Sequence, residues 1–456
     1  MQIFSKNLFQ LITKIHHLNR VHVSSDMTKA FKIIKNNYKN CKIYSFKSGS
    51  KVGLWTIPKS WEVINAYLKD SKNKIILDYK KNPLCLWSYS DSFKGKVTFK
   101  ELLNHIIYSI KKPKATIFHF RLQYRHWEKQ WGFSIPYKKF LKLNKKSSFY
   151  INIKTIKKNS ELNGLEQTHE GIYKQSILFV GHLDHPFTTN DGLAGCISGH
   201  EILKKIEKVK TKMTYRMLSS VEIIGSIFYA KKKIKNKNII NALFLGMPGA
   251  DSNLAYNMSF YGKSYSDDIF DYLGKTYNFK INKFREGPGN DEIAFDAPGV
   301  KIPCGSFTRE IFKNYHTDFD TPKNLNKQNF LEYQNILLSF INIVEKNSLV
   351  IPASDGLTCL SHPKLNLYLN AQFSQITDPD KNNFIWNFLP KTKKNDDRLF
   401  IKLNALMDYL CAMQYPETTL NISRKLRLPF DLVDYYTDLL KGKKIIKKRW
   451  HKFFKS

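Results

Sequence analysis

Between residues 150 and 345 short apolar runs alternate with amphipathic segments, and this alternation limits the folds open to the chain. "SFYINIKTI" and "SILFVGH" read as strands, "GLAGCISGHEILKKIEK" as a helix and "TYRMLSSVE" as a strand; "IIGSIFYAKKKIK" reads as a helix and "NIINALFLGMPG" as a strand. Strands joined by helix-length connections lie parallel, so the pattern predicts an α/β domain with a largely parallel sheet. Ligands of such sheets bind beyond the carboxyl ends of the strands. His182, Glu222 and segment 246–251 all fall at predicted strand ends, so one edge of the sheet would gather them.

The flanking regions have other textures. Residues 1–57 read as one or two helices followed by a strand-turn stretch punctuated by Ser-Gly-Ser and Pro58. From 58 to 150 short aromatic strands dominate ("KIILDY", "LCLWSYS", "ATIFHFRLQY"), which predicts a small β-rich module. One helix is expected in it, "VTFKELLNHIIYSI", where Thr98 and Glu101 have capping-box spacing. Trp87, Tyr89, Tyr124, Trp127 and Trp131 are read as core. After 350 a loop with short strands leads to a tail, and 355–456 has the rhythm of a winged helix. One tail helix carries Ile422 and Leu426, Pro429 marks a turn, a second helix covers 430–441, and "KGKKIIKKRW" forms a basic wing.

Composition narrows the class. The 456 residues are 42% hydrophobic, enough for two or three globular domains. The net charge of +36 points toward acidic partners, but the Lys are spread along the whole chain, as in a solvated basic surface, so nucleic acid is not favoured as a partner. Cys41, Cys85, Cys196, Cys304, Cys359 and Cys411 form no Cys-x-x-Cys pair, which argues against a cysteine zinc site and a disulfide framework. No run of about 18 apolar residues suggests a membrane span, and the N-terminal segment reads as an amphipathic helix. A cytoplasmic protein is expected.

The chemistry-bearing residues lie in "GHLDHPFTTNDGLAG". A His leaving a strand, an Asp two residues on and Asn-Asp-Gly-x-x-Gly opening a helix make a metal-site layout. His182 offers an imidazole, Asp184 could hold its other ring nitrogen, and Asp191 could reach one or two cations. Glu222 sits at a strand end before a Gly-Ser helix start, a suitable place for a general base. Asp291 lies in a Gly-rich loop, and "NYHTDFDTP" brings His316 with Asp318 and Asp320.

These blocks, "GHLD…NDGLAG", "VEIIGS", "NDEIAF…PGVKIP" and "YHTDFDT", resemble the co-catalytic zinc aminopeptidases, the superfamily that also holds glutaminyl cyclase. Nearly the whole chain resembles, more closely, the aminopeptidase-like proteins of bacterial polysaccharide-biosynthesis clusters; "SGSKVGLWTIPKSWEV", "LWSYSDSFKGKVTFKELLNHI" and "QYRHWEKQWGFSIPYKKF" carry the likeness there. The resemblance implies an α/β, phosphorylase/hydrolase-like zinc-peptidase sandwich with a mixed sheet (residues 1–57 and 151–350), a small β-rich insert domain (58–150) and a C-terminal winged helix (355–456). It implies zinc held by His182, Asp191 and His316, with Glu222 taking a proton from the attacking water and Asp184 and Asp320 supporting the site.

Two positions depart from the resemblance. A two-zinc aminopeptidase has consecutive Glu, base then ligand, where this chain has Glu222-Ile223. It also has an Asp ending the next strand, where this chain has Gly246; Asp251 or His185 could substitute. The expectation is therefore one zinc with the second left open, and Glu222 as base with a ligand role as the alternative. The function implied is a zinc-dependent hydrolase cleaving an amide bond of a peptide or acyl-amide substrate. The rival is a catalytically decayed scaffold acting as a binding or regulatory protein through its winged helix.

Overall fold

Ser176–His182 is buried along its whole length, as a strand covered on both faces requires. In the computed structural model, which describes residues 4–235, 237–365, 367 and 398–450, this strand lies inside an eight-stranded sheet. Numbered in chain order, the strands of that sheet are β1 Cys41–Lys47, β2 Glu161–His169, β3 Ser176–His182 and β4 Thr214–Ser220, then β5 Ile239–Leu245, β6 Leu254–Asn257, β7 Lys280–Asn282 and β8 Cys304–Arg309. Their spatial order is β1-β2-β4-β3-β5-β8-β6-β7. The central strands β4, β3, β5 and β8 run parallel, whereas the pairings β1–β2, β2–β4 and β6–β8 are antiparallel, so the sheet is mixed.

Alternation along β3 decides what reaches each face. Leu178 and Val180 share a buried cluster with Tyr229 and Phe295, from the helices Ile224–Lys232 and Glu292–Asp296. Gly181 turns the other way, where a Cβ would meet Cys196 of the helix Gly195–Lys205 at 3.0 Å. His182 therefore ends β3 on the Leu178 side, with its ring 5.5 Å from that of Phe244.

The chain divides into two compact units, Met1–Leu338 and Ser339–Ser456. Within the first, Ile75–Asp78, Ser60–Lys69, Ser148–Lys158 and Phe93–Thr98 form a separate antiparallel sheet. Trp61, Trp87, Tyr89, Trp131 and Phe149 fill its core. Trp127 departs from the core reading at 68% exposure. The Thr98–Glu101 capping box is present, but its helix is only Phe99–Leu102. A 3-10 turn, Leu103–His105, carries the run on, and it ends there because Ile106–Ile107 pairs with Phe133–Ser134 as a short parallel strand, and strand partners override local propensity.

In the second unit the helices Arg398–Ala412, Thr419–Leu426 and Phe430–Gly442 surround a three-stranded sheet. Ser348–Pro352 is its centre, flanked by Glu417–Thr418 and Ile446–Trp450. Leu406, Ile422, Val433 and Leu440 belong to its buried cluster. Parts of the tail read from sequence, at 366, 368–397 and 451–456, lie outside the described residues. Among the described residues no helix is long and apolar enough to cross a membrane.

Candidate metal centre

Where β3 ends, the chain turns through residues 183–190 before the helix Gly195–Lys205, and three devices fix that turn. The first is Arg20, fully buried, whose guanidinium donates to the carbonyls of Leu183 (2.9 Å), Thr188 (2.9 Å), His185, Ile15 and His16. Burial lowers its pKa to about 10, which leaves it charged at neutral pH. Arg20→Met would strand these acceptors, and we expect a loss on the order of 3 kcal/mol in urea unfolding. The second is Asp320, which accepts the backbone N–H groups of Thr189 (3.1 Å), Asn190 (3.0 Å) and Asp191 (3.2 Å). Burial still pushes its carboxyl up to about 6.

Close packing is the third device. A Cβ at Gly192 would lie 2.1 Å from the His182 ring, and one at Gly195 would lie 2.2 Å from the Leu245 carbonyl oxygen. The Gly-x-x-Gly spacing is thus a requirement for contact. Gly192→Ala should displace the His182 ring and lower metal occupancy, measurable by elemental analysis.

Asp191 is the hub of the centre. Its Oδ1 lies 3.2 Å from His182 Nε2. Its Oδ2 lies 3.0 Å from His185 Nδ1 and 2.8 Å from His316 Nε2. Both ring nitrogens of His185, Nε2 of His316 and Asp191 Oδ2 are buried yet make no hydrogen bond of acceptable angle. Burial raises the Asp191 carboxyl, but the surrounding imidazoles outweigh it and hold it well below the usual range. Burial likewise disfavours charge on His185, but Asp191 and Glu222 bring its pKa up to about 10. The donor atoms of His182, His185 and Asp191 lie within 4.8 Å of one another. Imidazoles and a carboxylate with unused buried donor atoms fit a zinc-type cation.

Glu222 follows β4 and stands beside this group. Ile223 has φ 57° and ψ −64°, and the Ile224 N–H reaches the Glu222 carbonyl at 2.6 Å, closing a γ-turn. A β-branched residue with positive φ is strained, and surrounding bonds must hold it. The Glu222 N–H donates to Asp184 Oδ1 (2.7 Å) and the Ile223 N–H to Asp291 Oδ1 (2.8 Å). Burial raises the Glu222 carboxyl, but the His185 ring at 3.4 Å and His182 bring it below its ordinary value.

One sequence reading changes in position, and one open alternative is decided. The partner of His182 Nδ1 is Asp291 Oδ2 at 3.4 Å, whereas Asp184 pairs with His22 Nε2 at 3.0 Å. The chain has already left the strand at Leu183, so the two-residue alternation no longer aims Asp184 at the His182 ring. His185 joins the centre, and Asp251 does not: it is exposed and lines a polar groove with Tyr277, Arg309 and Glu332. No carboxylate stands at Gly246, whose nearest neighbours are Thr308 and Phe244.

The sequence reading also missed the contribution of residues 112–124. Ile117 bridges Thr317, the Phe118 N–H donates to the His316 carbonyl (2.9 Å), and Asp318 Oδ1 accepts the Thr116 N–H (2.9 Å). This seam places Phe118 5.1 Å from the His185 ring and Phe120 5.3 Å from that of His316. It also delivers Tyr124, whose hydroxyl donates to Glu222 Oε2. An aromatic in a β-rich stretch carries no local signal of such a role.

Comparison with known proteins places the fold and the family. A protein of Clostridium acetobutylicum, named as a polysaccharide biosynthesis protein with an aminopeptidase-like domain, is 29% identical over 347 residues, 75% of this chain and 78% of that one. A crystal structure from the same organism, described as a peptidase, superposes with a TM-score of 0.79 at 24% identity and covers 97% of this chain and 96% of that one. A zinc aminopeptidase from Bacillus subtilis shares the fold with a TM-score of 0.55 at 15% identity, over 74% of this chain and 94% of that one. Residues 9–347 match the family described as a domain of unknown function, DUF4910, and the chain belongs to that family.

Proposed function

We propose that the chain is a zinc-dependent hydrolase of an amide bond, with His182, His185, Asp191 and His316 holding the metal and Glu222 moving the proton. One arrangement carries the reading: His185 and His316 bring to Asp191 buried ring nitrogens that make no hydrogen bond, next to a second carboxylate. Zinc bound there would polarise an amide carbonyl and lower the pKa of a coordinated water to about 7. The contacts from Tyr124 and His185 both fall on Glu222 Oε2, which leaves Oε1 to accept a proton from the attacking water and return it to the leaving amine. Asp184 and the γ-turn hold the Glu222 backbone, and Asp291 orients His182 through its other nitrogen. One ion is the simplest occupancy, because Ile223 and Gly246 stand where a two-zinc aminopeptidase has carboxylates.

The substrate is then a peptide or an acyl amide, and the name of the Clostridium relative supports an amide on a polysaccharide precursor. Residues 58–150 are read as a β-rich insert, supported by their own core, and 355–456 as a winged helix. The order helix, short strand, two helices, strand supports the latter. Six unpaired cysteines support a cytoplasmic setting. A second reading, a scaffold that binds without cleaving and acts through its tail, draws on the replacements at 223 and 246.

Metal separates the two. Elemental analysis of the purified protein should find close to one zinc per chain. Free zinc at about a hundred times its Kd should stabilise the fold by about 2.7 kcal/mol, read as a rise in Tm reversed by chelator. A protein that takes up no zinc would overturn the hydrolase reading.

A further inference from the structure

An ammonium group taken out of water needs acceptors that are not already committed. The carboxylates gathered at the centre are Asp184, Asp191, Glu222, Asp291, Asp318 and Asp320, and almost every oxygen is engaged. Asp184 is held by His22 and the Glu222 N–H. Asp291 is held by His182 and the Ile223 N–H. Asp318 accepts from Thr116 and Asn82, and Asp320 accepts three backbone N–H groups. Asp191 faces His182, His185 and His316 with both oxygens. Asp184 Oδ2 and Asp191 Oδ2 make no hydrogen bond but are taken up by ion pairs with the imidazoles of His22, His185 and His316. Among the described residues Glu222 Oε1 is the oxygen of this set with neither a hydrogen bond nor an ion pair, since its contacts fall on Oε2, and hydrolysis needs it for the proton. The wall beside the imidazoles is apolar: Phe118 and Phe120 flank them, and Tyr315 stacks on His316 at 3.9 Å.

We propose that the site takes amides whose acyl half carries no ammonium next to the carbonyl, that is, N-acylated amines with a short apolar acyl chain rather than peptides with a free N-terminus. The inference rests on the hydrolase reading above and narrows its substrate class. The reaction balances as water plus acyl amide giving carboxylic acid plus amine. The C–N bond breaks, a C–O bond forms, and the proton taken from water by Glu222 passes to the departing nitrogen.

Two hydroxamates that differ only in the amine test it: leucine hydroxamate and 4-methylpentanohydroxamate. Each is titrated calorimetrically into the zinc-loaded full chain, and turnover of the matching leucyl and 4-methylpentanoyl anilides is measured alongside. The amine-free ligand should bind at least ten-fold more tightly, and its anilide should be the better substrate. Equal or tighter binding of leucine hydroxamate would overturn the inference, while cleavage of the leucyl anilide would leave the hydrolase reading standing. Binding of neither ligand to protein that holds zinc would overturn both.

Discussion

Glu222→Gln is expected to leave zinc content near that of the wild type and to lower amide turnover by roughly 10²–10⁴-fold, the contribution of a positioned acid–base group. Gln keeps the shape of Glu, and its amide oxygen can still accept the Tyr124 hydroxyl bond now made to Oε2. It cannot accept a proton at the position of Oε1. If Glu222 is instead a metal ligand, the same change weakens zinc binding, and added zinc restores part of the rate. Stoichiometry and turnover must therefore be measured on one sample. Metal retained with an undiminished rate would remove Glu222 from the mechanism.

Asp191→Asn is expected to reduce zinc occupancy to below about a tenth of wild type, because Asp191 is the carboxylate on which His182, His185 and His316 converge. The metal-free protein should also respond. His185, raised to about 10 beside Asp191, contributes stability that is complete below its unfolded pKa of about 6.5 and is lost as pH rises through 10. The metal-free wild type should therefore lose stability between those limits, and the Asn variant, in which only Glu222 still faces His185, should show a shallower slope. Removing one partner of this buried set should cost about 3–5 kcal/mol near pH 6, read by urea unfolding. Zinc affinity runs the opposite way with pH, since a coordinating imidazole must first give up its proton. A variant with unchanged zinc content would remove Asp191 from the metal centre.

The local parts of this centre could be read without coordinates. An apolar run that ends in His182 announces a buried strand and its carboxyl end, and the glycines at 192 and 195 announce close approach. His316 and Glu222 were legible because each sits in a short block with its own pattern. The family resemblance added the order of those blocks. The helix expected over 97–110 failed where the pairing of Ile106 with Phe133 outweighed a correct cap.

The sequence by itself determined the strand-helix alternation, the parallel core of the sheet and the strand ends at which His182 and Glu222 stand. These follow from periodicity and spacing, which act between near neighbours and hold whatever surrounds them. Only the tertiary structure decided who serves whom at that edge. It paired Asp184 with His22, gave His182 to Asp291, brought His185 to Asp191 and laid Tyr124 against Glu222. Most of these contacts join segments far apart in the chain, and even the nearby ones depend on how the 183–190 turn is held. Arg20, Asp320 and the Thr116–Phe118 seam hold that arrangement from elsewhere in the chain, so no local pattern could reveal it.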